Sequence, residues 1–315
     1  MADAHFANVA EYLIARRAER NQSQEALAEA LAESDPDFAG VDGLALSRWE
    51  RGAVSPSIER QIKLMLFFGD EPHLLMGNRE FEVRQLPSLA SFHKWMGQHL
   101  QYNHVMGGHP YVDGDDGDFD KCGATHEHFP DWAELVCSYN RNLTRGRERW
   151  TPGGIQALIE SNSSESLFYT QHGQLLGHLI MVRVDDSTLA ALLRGDLLEH
   201  ELSPDQLVDK GSKANLFALS AYFGNRRICE DAVTHFFQTL LESPKNMSLG
   251  FKARANFGVK LMDILDSSVI ARGELITGHR DGARYNGKYY ELVSYQVGRE
   301  ALISNPTILS IIRGR

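Results

Sequence analysis

Cysteine is scarce in this sequence of 315 residues: there are three, Cys122, Cys137 and Cys229, and no two of them form a CxxC pair. An odd and scattered set argues against a disulfide framework or a zinc ribbon, and it favours a reducing compartment. Long apolar runs are also missing, since no stretch approaches the roughly 18 residues that a membrane span needs. The first residues, MADAHFANVAEYL, lack the basic and then apolar pattern of a signal peptide. We therefore expect a cytoplasmic protein with no membrane partner.

Positive charge is in deficit as well: 32 lysines and arginines stand against 42 aspartates and glutamates, which gives a net charge of −10 at pH 7. This balance excludes nucleic-acid binding through a broadly basic surface. Within residues 1–79 there are 8 basic and 13 acidic side chains. Any contact with DNA must therefore come from local arginines, which cluster at positions 16, 17 and 20 and again at 48, 51 and 60.

What is present is an ordinary globular composition, with 43% apolar and 23% charged residues, in a chain long enough for more than one domain. The first 78 residues show a helical period with plain start and stop signals. Ser23 is a natural N-cap, Gly52 and Gly69 are natural helix ends, and Trp49 falls on a buried edge. These signals predict five short helices packed as an all-α bundle.

Three segments in this bundle, SQEALAEAL at 23–31, LSRWERG at 46–52 and SPSIERQIKL at 55–64, resemble the lambda-repressor/Cro-like, or XRE-type, helix-turn-helix family. In that family the second helix crosses the DNA backbone and the third helix lies in the major groove. The resemblance covers the first quarter of the chain. It implies that residues 1–78 are a DNA-binding domain that acts as a homodimer on a two-fold-related operator.

The resemblance also implies which residues contact double-stranded DNA: Gln24, Asp42, Gly43, Ala45, Ser47, Arg48 and Arg51. Gln24, at the start of the second helix, would hold a phosphate. Arg48 would donate two hydrogen bonds to a guanine, whereas Arg51 would contact phosphate. Glu50 occupies the family's inward position and is expected to pair with Arg17. An ordinary helical bundle without DNA binding is the alternative reading of the same segments.

One departure from the family is an acidic insertion at 33–42, ESDPDFAGVD, between the second and third helices. The family normally has a tight turn there. We expect the insertion either to project away from DNA or to change how the third helix is presented.

Residues 79–130 form a connecting segment rich in histidine, aspartate and glycine, and two metal sites are conceivable in it. Asp116, Asp118, Asp120 and Glu127 have the spacing of a calcium loop, but Lys121 replaces the glycine that the turn requires. Residue types that bind zinc also occur, without the spacing of a ligand set: His104, His109, Cys122, His126, His128 and Cys137. The sequence favours a solvated loop, and we expect no metal and no cofactor.

Residues 131–315 alternate between helical and β patterns. Two helical segments, DWAELVCSYNRNL and PGGIQALIESN, precede a predicted hairpin at 166–184, a buried strand at 215–223, a helix, a strand, a helix and a closing strand. This order resembles the GNAT acyltransferase fold. The expected fold class is therefore multi-domain, a helix-turn-helix bundle followed by an α/β (α+β) GNAT-like domain for dimerisation or effector sensing.

The GNAT resemblance implies acyl-CoA binding at a strand-to-helix turn with the pattern R/Q-x-x-G-x-G/A, which reads GNRRIC at 224–229. Arg227 and Cys229 stand at the two positions where the pattern has small residues. Their side chains would obstruct the close approach of the ligand to the backbone, so we expect at most weak binding of an acyl-CoA-like or other small effector. The ligand-binding residues would be Gly224, Asn225, Arg226 and Arg227. The family's acid, a tyrosine, corresponds to Asp263, and an ionised carboxylate is a poor proton donor. We therefore expect no catalytic residue, unless one of four nearby tyrosines substitutes, at 285, 289, 290 or 295.

The sequence thus predicts a sequence-specific transcription regulator that acts as a dimer and carries a non-catalytic GNAT-like domain. The alternative is a DNA-binding protein fused to an active acyl-CoA-dependent N-acyltransferase. A third reading is an interaction scaffold in which DNA binding is secondary. The apolar tail NPTILSIIRGR at 305–315 is expected to hold the dimer together.

Overall fold

The computed structural model describes residues 6–83, 86–100, 105–106, 109–110, 119–123, 126–161, 163–277 and 282–314. The chain forms two compact units: unit 1 comprises Met1–Phe92 and Leu302–Arg315, and unit 2 comprises His93–Ala301.

The helices are α1 Val9–Glu19, α2 Gln24–Ser34, α3 Gly43–Glu50, α4 Ile58–Phe68, α5 Pro72–Met76, α6 Leu89–Leu100, α7 Phe129–Leu143, α8 Pro152–Glu160, α9 Asp186–Arg194, α10 Arg226–Glu242, α11 Asn256–Ile264, α12 Arg299–Ile303 and α13 Pro306–Arg313. The strands are β1 Val105–Met106, β2 His109–Pro110, β3 Asp120–Cys122, β4 Ser164–Gln171, β5 Gln174–Val184, β6 Ala214–Phe223, β7 Asn246–Ala253, β8 Ser268–Arg272, β9 Ala283–Tyr285, β10 Lys288–Tyr290 and β11 Val293–Gly298.

The five helices predicted over residues 1–78 are present as α1 to α5, and local chemistry explains where they begin and end. Asn8, Ser23, Asp42 and Ser57 each precede a helix and accept a backbone N–H of its first turn through a side-chain oxygen. Gly69 ends α4 with φ of 84°, a left-handed conformation that costs glycine little. These segments therefore fold as their sequence indicates.

The insertion between α2 and α3 folds against unit 1. It forms a 3-10 turn at Pro36–Phe38, and Phe38 is fully buried in the core with Leu31 and Leu46. The Lys63 ammonium on α4 lies 2.9 Å and 2.6 Å from the carboxylates at positions 35 and 37. A buried aromatic ring and two ion pairs therefore hold the insertion against the bundle. Its projection away from DNA and its effect on how the third helix is presented stay predictions.

The C-terminal tail belongs to unit 1, although the sequence suggested a place in the second domain. Ile308, Leu309 and Ile311 on α13 are fully buried, and Leu309 packs in the same core as the N-terminal helices. The Arg313 guanidinium donates to the backbone carbonyl oxygens of Met76 and Asn78, at 3.1 and 3.3 Å. The apolar face that we assigned to a dimer interface is thus covered by its own chain. The boundary predicted at residue 78 also moves to residue 92.

Unit 2 is a mixed α/β fold built on a seven-stranded sheet in the order β3-β4-β5-β6-β7-β11-β8. Its neighbours pair antiparallel except β6 and β7, which are parallel. The hairpin, the buried strand and the helices expected from the sequence are present as β4, β5, β6, α7, α8, α10 and α11. The predicted closing strand at 288–297 is divided into β10 and β11. Six elements of unit 2 have no counterpart among the predicted ones: α9, β1, β2, β3, β8 and β9. Among the described residues, no helix is long and apolar enough to cross a bilayer.

Candidate functional site

The sheet of unit 2 opens between its two parallel strands. β6 and β7 pair at Ala214–Asn246, Leu216–Leu249 and Phe217–Gly250, and their described residues pair no further. β6 nevertheless continues to Phe223 and β7 to Ala253. The second half of β6 therefore has an edge without a neighbouring strand on the β7 side.

A β-bulge in β6 lies at the start of this opening. Ile180 of β5 pairs with Ser220 and Met181 pairs with Ala218, so Leu219 has no partner residue in β5. Leu219 joins the core under α7, and the next residue, Ser220, also reaches α7 through a hydrogen bond from Asn140. Two consecutive side chains thus face the same side, which is what a bulge does to a strand.

A cavity of about 940 Å³, including its open side, occupies the gap between the strands. Its walls come from both faces of the sheet. α10 covers one face, since a Cβ on Gly177 would lie 2.8 Å from Ile228 Cγ2, and α7 covers the other, where the adjacent His178 bonds to Ser220. The lining is mainly apolar and includes Leu143, Leu219, Val233, Phe236, Phe257 and Leu261. The cavity therefore runs through the sheet where the strands part.

Two buried carboxylates, Glu148 and Glu199, and two partly buried cations, Lys252 and Arg254, line the cavity. Arg254 Nη2 lies 2.5 Å from a Glu148 oxygen and 2.6 Å from a Glu199 oxygen, and Lys252 Nζ lies 2.9 Å from Glu199. Trp150 Nε1 donates to the second Glu148 oxygen at 2.7 Å. Two carboxylates and two cations thus balance in an apolar surrounding, with Arg254 shared between both carboxylates.

The two carboxylates differ in acidity. Burial and the neighbouring charge of Glu199 raise the pKa of Glu148 to about 7. Burial also opposes ionisation of Glu199, but Arg254 and Lys252 outweigh it and lower the pKa of Glu199 to about 2. Glu148 therefore exchanges its proton near neutral pH, which suits a general base. Neither residue is marked in the sequence, because the two lie far apart in the chain and in no recognisable motif.

The residue expected at the position of the family's acid lies outside this cavity. Asp263 on α11 has a half-exposed side chain, 3.5 Å from Lys260 Nζ, while α11 lines the cavity with Phe257 and Leu261. None of the four candidate tyrosines belongs to the cavity lining within the described residues. The structure therefore brings neither Asp263 nor a substitute tyrosine to the opening.

The strand-to-helix turn predicted to bind a ligand has local structural roles. The Gly224 N–H donates to Leu176 O at 2.8 Å, and Asn225 caps α10 by accepting from the Ile228 N–H. Arg226 is exposed and its Nε lies 3.1 Å from a carboxylate oxygen at position 230. Arg227 is also exposed and lies over the ring of residue 119. Cys229 is fully buried, so its side chain fills the space under α10. Anion binding at 224–227 stays a prediction.

In unit 1 an ion network anchors the predicted recognition helix α3. Arg17 donates to both Glu50 oxygens, at 2.6 and 3.1 Å, and Gln24 Nε2 donates to Glu50 at 2.7 Å. Glu50 and Trp49 are buried. The pair between Arg17 and Glu50 that the helix-turn-helix resemblance implied is thus present. Gln24 is committed to the same network, which ties α1, α2 and α3 together.

The other predicted DNA contacts lie around the outer side of α3. Arg48 is exposed and Ser47 is half-buried, whereas Arg51 folds back and donates to Ser47 O at 3.0 Å. Asp42 acts as the N-cap through Ala45 N–H. A Cβ on Gly43 would lie 2.7 Å from the Glu25 carboxylate, so an acidic group stands beside the start of α3. Contact of these residues with DNA stays a prediction.

The conceivable metal sites are not assembled in the part of the chain that the structure describes, which holds no cluster of three or more ligand-type side chains. Asp120 to Cys122 form β3, paired with β4, so the calcium-loop spacing does not correspond to a loop there. His126 stacks on Trp132. Asp116, Asp118 and His104 lie outside the described residues, as does the side chain of His109.

No family model and no curated protein match this chain. Solved structures do resemble it. NAA60 from Arabidopsis thaliana, in complex with a bisubstrate analogue, is 12% identical, covers 57% of this chain and 98% of its own, and has a TM-score of 0.38. FeeM, an N-acyl amino acid synthase from uncultured soil microbes, is 11% identical over 61% of this chain and 97% of its own, with a TM-score of 0.37. An N-acetyltransferase from Staphylococcus aureus Mu50 is 11% identical over 58% and 98%, with a TM-score of 0.35. These sequence identities and TM-scores are too low to assign a function to this chain.

Proposed function

We propose that unit 2 binds an acyl-CoA in the cavity between β6 and β7 and transfers its acyl group to an amine. The observation that carries this proposal is a cavity passing between parted parallel strands, with a carboxylate of near-neutral pKa in its wall. The pantetheine arm of CoA is extended and carries amide groups. Such a chain fits beside the open edge of β6 as an added strand fits a sheet edge. The strand and helix order expected of a GNAT-like domain supports the same assignment.

Glu148 is the residue to which we assign the proton transfer. An amine must lose a proton as it attacks the thioester carbonyl, and a carboxylate that titrates near the working pH is an effective acceptor. Asp263 lies outside the cavity lining and does not protonate the leaving thiolate. A thiol of pKa about 8.5 leaves readily enough to take its proton from water. This proposal departs from the expectation of a non-catalytic domain, because the sequence does not mark Glu148.

Binding and turnover can be tested separately. Titration calorimetry with acetyl-CoA and octanoyl-CoA should detect binding, and release of free CoA thiol should require an added amine. Glu148→Gln should lower kcat by about 100-fold and leave acyl-CoA affinity nearly unchanged. Glu160→Gln, an exposed position at the end of α8, is the matched control. Absence of binding to either acyl-CoA, or full activity of Glu148→Gln, would contradict the proposal.

For unit 1 we propose DNA binding through α3, as a homodimer on a two-fold-related site. The support is the buried network of Arg17, Glu50 and Gln24, which fixes α3 with Arg48 exposed. One small module supplies limited specific affinity, so two copies on related half-sites are expected. Together the units would make a DNA-binding regulator joined to an acyl-CoA-dependent domain. If unit 2 binds acyl-CoA without turnover, it would serve as the effector sensor that the sequence suggested.

The DNA-binding proposal is tested by selecting binding sites from a random duplex pool with the full chain. Arg48→Ala should weaken the selected site by about 1–3 kcal/mol and relax preference at one base pair. Arg194→Ala is the control, since this exposed arginine lies at the end of α9 in unit 2. Equal losses for both variants, or no enrichment of any sequence, would remove α3 as the reading helix.

A further inference from the structure

Ser220, in the bulge of β6, lines the cavity of unit 2. Its Oγ lies 2.7 Å from His178 Nε2 on the neighbouring strand, and both residues are buried, at 6% and 1% exposure. In a regular strand Ser220 would face the opposite side from Leu219. The bulge puts both on the α7 side, so a departure from regular pairing aims this hydroxyl at His178.

A third side chain orients the hydroxyl. Asn140 of α7 places Nδ2 at 3.0 Å and Oδ1 at 3.2 Å from Ser220 Oγ. Asn140 Nδ2 also donates to Val136 O, which holds the amide in place. With Nδ2 donating to the oxygen, the hydroxyl proton points to its nearest acceptor, His178 Nε2. A serine hydroxyl bonded to an imidazole is the pairing of a nucleophile with its base. Here the third group, Asn140, orients the nucleophile itself.

We propose that Ser220 attacks the bound thioester and carries the acyl group as an ester, with His178 as its base. This inference rests on acyl-CoA binding in the cavity and deepens it, because it adds a covalent step before the amine reacts. Ser220 Oγ forms a bond to the acyl carbon, and its proton moves to His178 Nε2. The C–S bond breaks, the sulfur keeps the electron pair, and the CoA thiolate takes the proton from His178.

The second half restores the enzyme. The acceptor amine attacks the ester carbon and gives a proton to Glu148, and the C–O bond to Ser220 breaks. The serine oxygen takes a proton from solvent through His178, and Glu148 releases its proton to solvent, so no net proton is gained or lost. The products are an amide and free Ser220. The acyl donor and the acceptor amine would therefore react in turn and need not occupy the cavity together. Steady-state rates should then follow ping-pong kinetics.

The test uses the full chain with octanoyl-CoA and no amine. Intact-mass spectrometry should show one added octanoyl group, mapped to the peptide that holds Ser220, and a burst of about one equivalent of CoA thiol. Ser220→Ala should abolish both signals, whereas Ser220→Cys should still accept the acyl group, as a thioester. His178→Gln should slow acylation by about 100-fold. Ser294→Ala, another buried serine of the sheet, should behave as wild type.

Calorimetry with a thioether analogue of octanoyl-CoA distinguishes failure of the serine step from failure of acyl-CoA binding. If the analogue binds and the wild-type chain forms no adduct, the serine step is wrong while acyl-CoA binding stands. If the analogue does not bind, both are wrong. An adduct that persists in Ser220→Ala, or maps to another residue, also overturns the assignment to Ser220. The wild-type measurement decides the question even if a variant fails to fold.

Discussion

Unit 1 and unit 2 each bury an ion network, and the two differ in how their charges are matched. In unit 1 a single carboxylate, Glu50, accepts from one guanidinium, Arg17, and from one neutral amide, Gln24. Every donor in this network belongs to another helix of the bundle. The charges are matched one to one, and the network acts as a brace between α1, α2 and α3.

In unit 2 two carboxylates, Glu148 and Glu199, meet on the same guanidinium nitrogen of Arg254, and Lys252 reaches only Glu199. Glu199 takes most of the cationic stabilisation, and Glu148 is left with a raised pKa. Burial is the main cause of the raised pKa of Glu148 and the charge of Glu199 adds to it, whereas Arg254 alone opposes the shift less than Arg254 and Lys252 together do at Glu199. Because Glu148 lines the cavity, a molecule bound there would lie beside this carboxyl group.

Removing the shared cation should have the largest effect. Arg254→Met leaves two carboxylates in an apolar wall, so we expect a loss of about 3–5 kcal/mol in the unfolding free energy of unit 2 at pH 8. Hydrogen exchange of the full chain, read at the slowest amides of β6, measures it. The amides of α4 report unit 1 and serve as the internal control. A change below about 1 kcal/mol would mean that the network is hydrated and not buried.

Shortening one buried side chain of the tail helix α13 should lower the unfolding free energy of unit 1 by an amount similar to, or smaller than, the loss that Arg254→Met causes in unit 2. Leu309 is fully buried among the N-terminal helices, so Leu309→Ala should cost about 2–5 kcal/mol at the amides of α4. Leu74→Ala is the control, because this leucine of α5 is 66% exposed. Equal protection in both variants would place α13 away from the core of unit 1.

The proton on Glu148 predicts a pH dependence in unit 2. Glu148 has a folded pKa of about 7 against an ordinary 4.5, so the folded state binds more protons than the unfolded state between these values. Stability therefore falls as the pH rises from about 4.5 to 7, at about 1.4 kcal/mol for each unit of pKa shift. Glu148→Gln should flatten this decline in urea unfolding, and Glu160→Gln should not. The titration of Glu199, whose pKa is lowered, falls at more acidic pH.

Breaking the brace of unit 1 should have the smallest effect on stability. Arg17→Met leaves Glu50 with Gln24 as its remaining partner, so we expect a loss of about 1–3 kcal/mol at the amides of α4. Because α3 loses an anchor, affinity for a selected DNA site should fall too. Glu29→Gln, at an exposed position of α2, is the control. If Arg17→Met costs more stability than Arg254→Met, the contrast between the two networks is reversed.

Short-range signals made much of the fold predictable. The helices α2, α3 and α4 follow from Ser23, Gly52 and Gly69, because capping and glycine stops act within one turn of the chain. The turn between β4 and β5 is equally local, since His172 and Gly173 take positive φ values of 51° and 76°. The fold of these segments is settled by neighbours a few residues away.

The cavity and its charged wall required the tertiary structure. Where β6 and β7 part depends on pairing between residues some thirty positions apart, and no local pattern encodes it. Glu148, Glu199 and Arg254 come from three separate segments, so their effects on each other's pKa exist only after folding. Asp263, chosen from its spacing in the helix, turned out to face solvent.

The sequence by itself determined the helical bundle at the start of the chain and the alternation of strands and helices that follows, and the helix-turn-helix resemblance implied the brace between Arg17 and Glu50. Only the tertiary structure decided that the tail completes unit 1, that the sheet opens between β6 and β7, and that Ser220 meets His178 there. The physical reason is range: caps, turns and periodic burial act over a few residues, whereas burial of a charge or a hydroxyl depends on which distant segments close around it.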